Sequence, residues 1–261
     1  MVTIKEKSLI KISRTPILIT SSITPQDTSV KLSDPQERLF HAIESIENWI
    51  RVAPGAPLVI CDGSNFDFRP IVSERFPGAS IECLFFQNDC SKIRTYGRGY
   101  GEGEIIKFAL MHSAHLRDSD AFSKCSSKLW VENYSECLRE LHGDCLFSGV
   151  FKNAFSPTKQ IEMVQVDTRF YIVKSGFYLS RLIDAHRKIG VTPGFGLEDS
   201  FYSSLTAMGK KMYLFSIPPV IRGVGGGTAE YYKSTWQRII KEKIRLRIIK
   251  RSHNFKNLFD L

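Results

Sequence analysis

Short runs of consecutive apolar residues alternate with segments of helical periodicity over the first half of this chain. Pro16-Ile-Leu-Ile-Thr20, Leu58-Val-Ile-Cys61 and Ile81–Phe86 are apolar runs of strand length bounded by polar or turn residues, the pattern of strands buried on both faces. Leu39, Ala42, Ile43, Ile46, Trp49 and Ile50 recur instead at helical spacing. Asp34 is placed to cap that helix and Pro35 to open it, and Pro54-Gly55 stops it. Further helices are predicted over 68–76, 104–116, 134–141, 177–188 and 197–208. Further strands are predicted over 122–131, 145–150, 163–173 and 212–217, with Leu9–Ile12 as a possible edge strand.

Strand–helix alternation calls for a mostly parallel sheet with helices on both faces. In such sheets ligands bind beyond the carboxyl ends of the strands. Those ends carry Thr20-Ser21-Ser22 and Asp62-Gly63-Ser64, and a third position is the segment before Glu104. That segment, Tyr96-Gly-Arg-Gly-Tyr-Gly-Glu-Gly-Glu104, reads as a loop in which Gly99 and Gly101 let backbone amides approach an anion. Arg98 would add a charge for a phosphate, and Tyr100 a ring for a base or sugar. It lacks the Gly-Lys-Ser/Thr ending of a Walker loop and misses the dinucleotide fingerprint. A second glycine cluster, Arg222-Gly-Val-Gly-Gly-Gly-Thr228, suits a phosphate, a lid or a hinge.

Glu198-Asp199 opens an apolar helix, where acids favour the helix dipole. Either could instead take a proton from an acceptor hydroxyl. Asp167-Thr-Arg169 interrupts an apolar strand, so its charges should be paired or touch substrate. His112 and His115 lack a carboxylate in a zincin arrangement and are read as structural. No Gly-x-Ser-x-Gly elbow is present.

Composition adds little until charge is mapped. With 261 residues, 43% hydrophobic and 24% charged, the chain is of ordinary globular type. The six cysteines follow no zinc or disulfide spacing. The N-terminal stretch has no signal-peptide core, so the expected location is the cytoplasm. Of the formal net charge of +9, +8 falls between Lys233 and Lys256, where nine cations meet one acid, Glu242. Trp236, Ile240, Ile244 and Ile248 recur there at intervals of four, beside Ile239 and Ile249. A helix of that composition fits an anionic membrane surface, here the inner face of the cytoplasmic membrane. With the charge concentrated in the tail, no nucleic acid is expected.

Taken in order, several of these segments resemble a family of bacterial glycosyltransferases from capsule and lipopolysaccharide gene clusters. The resemblance covers residues 16–232 and rests on Ile17-Leu-Ile-Thr-Ser-Ser22, Cys61-Asp-Gly-Ser64 and Gly97-Arg-Gly-Tyr-Gly-Glu102. It continues through Phe122–Asn133, Val166-Asp-Thr-Arg-Phe-Tyr171, Leu197-Glu-Asp-Ser-Phe-Tyr202 and Ile221-Arg-Gly-Val-Gly-Gly226. It implies a GT-A-like, Rossmann-type mixed sheet flanked by helices, over residues 1–232. About 1–145 would bind a nucleotide-sugar donor and 146–232 a glycan or lipid-linked acceptor, with 233–261 a basic amphipathic tail. Thr20, Ser22, Asp62 and Ser64 would line the nucleotide pocket. Arg98 to Glu102 would face the diphosphate and donor sugar, and Glu198 or Asp199 would be the base of an inverting reaction. Where the family's strand reads Lys-Ile-Thr-Gly-Arg, this chain has Lys124-Cys-Ser-Ser-Lys128. No Asp-x-Asp ends a strand in the donor half, so no cofactor is evident, and Mg²⁺ or Mn²⁺ stays open. The expectation is a metal-independent reaction using Arg98, Lys124 and Arg222, beside Gly223. The alternatives are a non-catalytic module using the tail on lipid or RNA, and a Rossmann dehydrogenase, which the missing fingerprint disfavours.

Overall fold

The computed structural model describes residues 15–190, 194–207, 214–233 and 235–259. The edge strand expected at Leu9–Ile12 and the first residues of the strand expected from Met212 lie outside these. β1 (Ile17–Ser21) and β2 (Leu58–Asp62) are buried at every position, whereas β3 (Ile81–Phe85) is half-buried throughout, as an outermost strand should be. Between β1 and β2 runs α1 (Pro35–Val52), which begins as expected, with Asp34 accepting from the Glu37 amide at 2.7 Å. Its inward stripe of Ala42, Ile46 and Trp49 packs on the sheet, and Trp49 Nε1 donates to the Leu129 carbonyl at 2.9 Å. After β2 come α2 (Arg69–Arg75) and, beyond β3, α3 (Cys90–Tyr96), α4 (Arg98–His112) and the single turn α5 (Ala114–Arg117).

The chain then enters β4 (Ala121–Ser126) and β5 (Leu129–Val131), followed by α6 (Tyr134–Arg139), β6 (Cys145–Lys152) and β7 (Glu162–Lys174). The described remainder holds α7 (Ser175–Arg181), a 3₁₀ turn at Ala185–Lys188, α8 (Leu197–Ala207), β8 (Ile221–Gly223) and α9 (Trp236–Arg251). The main sheet has the order β3-β2-β1-β4-β7-β6. β1 is parallel to both β2 and β4, while β7 runs antiparallel to β4 and β6. This is a mixed α/β sheet flanked by helices, less parallel than its alternation predicts. The order reverses between β1 and β4, so the crevice of a doubly wound sheet falls beyond Thr20 and Ser126.

Three expected elements change form. The strand read over 122–131 is two strands, because Lys128 turns the chain with a φ of 71°. β5 thereby leaves the main sheet and pairs with β8, a strand too short to show a period. The helix read over 177–188 breaks into α7 and the 3₁₀ turn. In the described part of the strand expected over 212–217, only Leu214 makes a bridge, to Phe147. Among the described residues no helix is long and apolar enough to cross a membrane.

Candidate functional site

A cleft of ≈ 250 Å³ lies at the reversal point. Its floor is Thr20, Ser21 and Ser22 at the end of β1 and Ser126 to Leu129 at the end of β4. α4 forms one wall, Thr168, Arg169 and Glu198 another, and Gly225 to Thr228 a third.

The glycine segment is the main correction. It is no loop: α3 ends at Gly97, whose φ of 83° turns the chain straight into α4. A Cβ on Gly99 would stand 3.2 Å from Leu197 and one on Gly101 3.1 Å from Ile93, while one on Gly103 would collide with the His186 ring. These glycines let α4 approach α8, α3 and the 3₁₀ turn closely. Alternating glycine disfavours an isolated helix by about 1 kcal/mol per residue, so only the tertiary contact explains it. Tyr100 is buried against Tyr96 and His186 and cannot stack on a ligand. Arg98 and Glu102 do face the cleft. The Arg98 amide donates to Asp27 Oδ2 at 3.1 Å, and its guanidinium lies where a Cβ on Gly227 would be. Burial alone would raise the Asp27 carboxyl, but hydrogen bonds from Ser29 and Arg98 and the Arg98 charge hold it below the usual range.

Two buried cations stand behind Arg98. Lys128 is 3% exposed, and Nζ is bonded to Ser127 Oγ at 2.7 Å. Among the described residues no carboxylate lies within ion-pair reach of it. Burial, with the Arg38 charge beside it, pushes the Lys128 ammonium down to about 7. Arg38 donates from Nε to the Ser22 carbonyl at 2.8 Å and from Nη1 to Leu32 at 2.7 Å, and burial brings it down to about 10. A Cβ on Gly226 would sit 3.0 Å from Lys128 Cε and 3.5 Å from Arg38 Nη1, so the glycine loop covers both cations. Ser21 Oγ, also buried in this cleft, has no hydrogen-bond partner among the described residues. Buried polar atoms are rarely left so, and an anion with acceptor oxygens would satisfy both groups.

Lys124 is different. It is fully buried, but it pairs with Glu102 and donates to the Thr168 carbonyl at 2.7 Å. Glu102 also accepts from Thr20 Oγ1 at 3.0 Å and Ser126 Oγ at 3.2 Å. This network ties β1, β4, β7 and α4 together and leaves Lys124 no charge to offer a ligand.

Asp62, Gly63 and Ser64 hold the scaffold and do not line the cleft. Asp62 accepts from the amides of Ile23 at 3.0 Å and Phe66 at 3.1 Å, and from the Ser64 amide and hydroxyl at 2.7 Å each. A Cβ on Gly63 would lie 2.6 Å from Asn88 and Ile105. Arg222 pairs with Glu132 at 3.0 Å away from the cleft, and Gly223 admits the Lys128 carbonyl, which accepts from Val224 at 3.0 Å. Asp167 forms a two-pronged ion pair with Arg169. Arg169 lies 4.8 Å from the Tyr232 ring, where the cleft meets a second cavity of ≈ 300 Å³ that Asp167 also lines.

The acidic pair separates cleanly. Asp199 accepts from the Gly196 amide at 2.8 Å, an ordinary cap, while Glu198 faces the cleft and accepts from Thr168 Oγ1 at 2.9 Å. Among the described residues no three His, Cys, Asp or Glu side chains converge as a metal site. Of the cleft's carboxylates, Asp27 accepts from the Arg98 amide, Glu102 pairs with Lys124 and Glu198 accepts from Thr168. Arg38 and Thr168 escape the sequence reading, although Arg38 falls on the helical stripe of Ala42, Ser45 and Trp49, a signal of burial.

No family model and no curated protein matches the sequence. Solved structures are similar in fold. Core-mannan synthase A of Aspergillus fumigatus, in its Mn/GDP form, is similar over 84% of this chain and 76% of its own, at 10% identity and a TM-score of 0.49. The inositol-1-phosphate CTP transferase of T. maritima covers 92% of this chain with 97% of its own, at 12% identity and a TM-score of 0.44. Mouse xyloside xylosyltransferase 1 covers 77% with 84%, at 11% identity and a TM-score of 0.44. The likeness lies in the layered arrangement of sheet and helices, and neither substrate nor family is carried over from it.

Proposed function

We propose that the protein is a glycosyltransferase that moves a sugar from a nucleoside-diphosphate donor to an acceptor hydroxyl. The observation that carries this reading is the buried Lys128 ammonium beside Arg38, with no carboxylate in ion-pair reach among the described residues, in the same cleft as Arg98 and Glu198. A diphosphate against these cations would be neutralised and oriented. Glu198, held by Thr168, would take the acceptor proton as the acceptor oxygen bonds to the anomeric carbon. The bond from that carbon to the diphosphate breaks with its electron pair leaving on the nucleotide, and attack opposite the leaving group inverts the centre. By the resemblance of its motifs, the acceptor would be a glycan or lipid-linked intermediate of surface polysaccharide synthesis.

Thermal shifts against UDP-, GDP-, CMP- and dTDP-sugars test the reading. One donor class should raise the melting temperature, and stabilisation by none contradicts it. Stabilisation by CTP without any sugar nucleotide would assign nucleotidyl transfer instead.

A further inference from the structure

α9 has two working faces. On the inner one Ile249 is fully buried, and Ile239 and Leu246 line the second cavity with Phe151 and Phe215. Arg245 and Lys241 lie 5.5 and 5.8 Å from the Phe155 ring, and beyond the helix the Leu214 amide donates to the Leu258 carbonyl at 2.7 Å. The helix is therefore docked on the domain, and the apolar positions read from the sequence as one face are divided between two.

The outer face carries Trp236, Ile240 and Ile244, which are 69%, 45% and 44% exposed. At intervals of four they form one stripe. Lys243, Arg247 and Arg251 are exposed around it, with Lys241 at its edge. The acid of this segment, Glu242, is paired to Arg245. Aliphatic side chains and a Trp flanked by cations match the boundary between lipid headgroups and acyl chains. A second copy of this chain would bring the same +8 segment against the first, and like charge opposes that contact. A nucleic acid would use the cations and leave the apolar stripe in water.

We propose that this outer face seats the protein on a bilayer containing anionic lipid, with Trp236, Ile240 and Ile244 entering the headgroup boundary. The inference rests on α9 alone and is independent of the chemistry in the cleft.

Binding of the full chain to vesicles of phosphatidylcholine, with and without phosphatidylglycerol, tests it. Trp49 and Trp130 are buried, so quenching by brominated acyl chains reports on Trp236. Wild-type protein should bind only the anionic vesicles and be quenched there. The double variant Ile240→Asn/Ile244→Asn, altered at exposed positions, should bind at least about tenfold more weakly with an unchanged melting temperature. Equal binding by that variant, or binding without quenching, overturns the proposal. Binding to an oligonucleotide but not to anionic vesicles also overturns it.

Discussion

Replacing Lys128 with methionine removes a buried charge while keeping the side-chain length and the left-handed backbone of the turn. In the folded protein the ammonium sits at about 7, lowered first by burial and then by Arg38, with Asp62 and Glu102 opposing. In the unfolded chain it returns to its usual 10.5. Below pH 7 both states hold the proton, and the folded state bears the full desolvation cost. Between pH 7 and 10.5 folding releases the proton, so stability rises with pH. At about 1.4 kcal/mol per pH unit the interval amounts to about 5 kcal/mol. Lys128→Met should therefore stabilise the protein by several kcal/mol at pH 6, with the gain shrinking toward zero near pH 10. For a chain of this size each kcal/mol moves the melting temperature by about 2–4 °C. Urea denaturation of both proteins from pH 6 to 10 measures the difference. A gain independent of pH, or a variant less stable at pH 6, would refute the desolvated-cation reasoning. That such a group is retained despite its cost is the pattern of a functional site.

The remaining expectations concern the acidic pair and the glycine helix. Glu198→Gln should keep donor binding while transfer falls by about 10²-fold or more, whereas Asp199→Ala should lose about 1 kcal/mol of stability with its cap and retain activity; activity assays with parallel melting curves distinguish them, and an active Glu198→Gln removes the assigned base. Gly103→Ala should destabilise the fold by about 1–3 kcal/mol through its collision with His186, although alanine normally favours a helix; a stabilised variant would restore the loop reading of this segment.

What was legible in the sequence was local. β1, β2 and the capped start of α1 follow from consecutive apolar runs and from Asp34-Pro35, signals a few residues wide. The cleft floor at Thr20, Ser21 and Ser22 followed from the strand-end rule, and the Glu198-Asp199 pair stood out at a helix start without either acid being singled out. Four features depended on partners distant in the chain. Gly99, Gly101 and Gly103 are helical only because α8, α3 and His186 press against them. The break at Lys128 comes from β5 joining β8, which no propensity at Lys128 announces. Asp62 carries the charge expected of a site residue, but the surrounding amides consume it. The tail's stripe was visible as a period, yet its division between a docked and an exposed side depends on the cavity wall against which Ile239 and Leu246 lie.

In the proposed reaction the cation cleft around Lys128 holds the diphosphate of a sugar nucleotide. Calorimetric titration of wild-type protein and Lys128→Met with UDP, GDP, CDP and dTDP at pH 7 tests this. The expected result is that at least one nucleotide binds the wild type and binds the variant about tenfold or more weakly, a loss of about 1.4 kcal/mol or more, although the variant is the more stable protein. Binding by none of the four, or equal binding to both proteins, would contradict it.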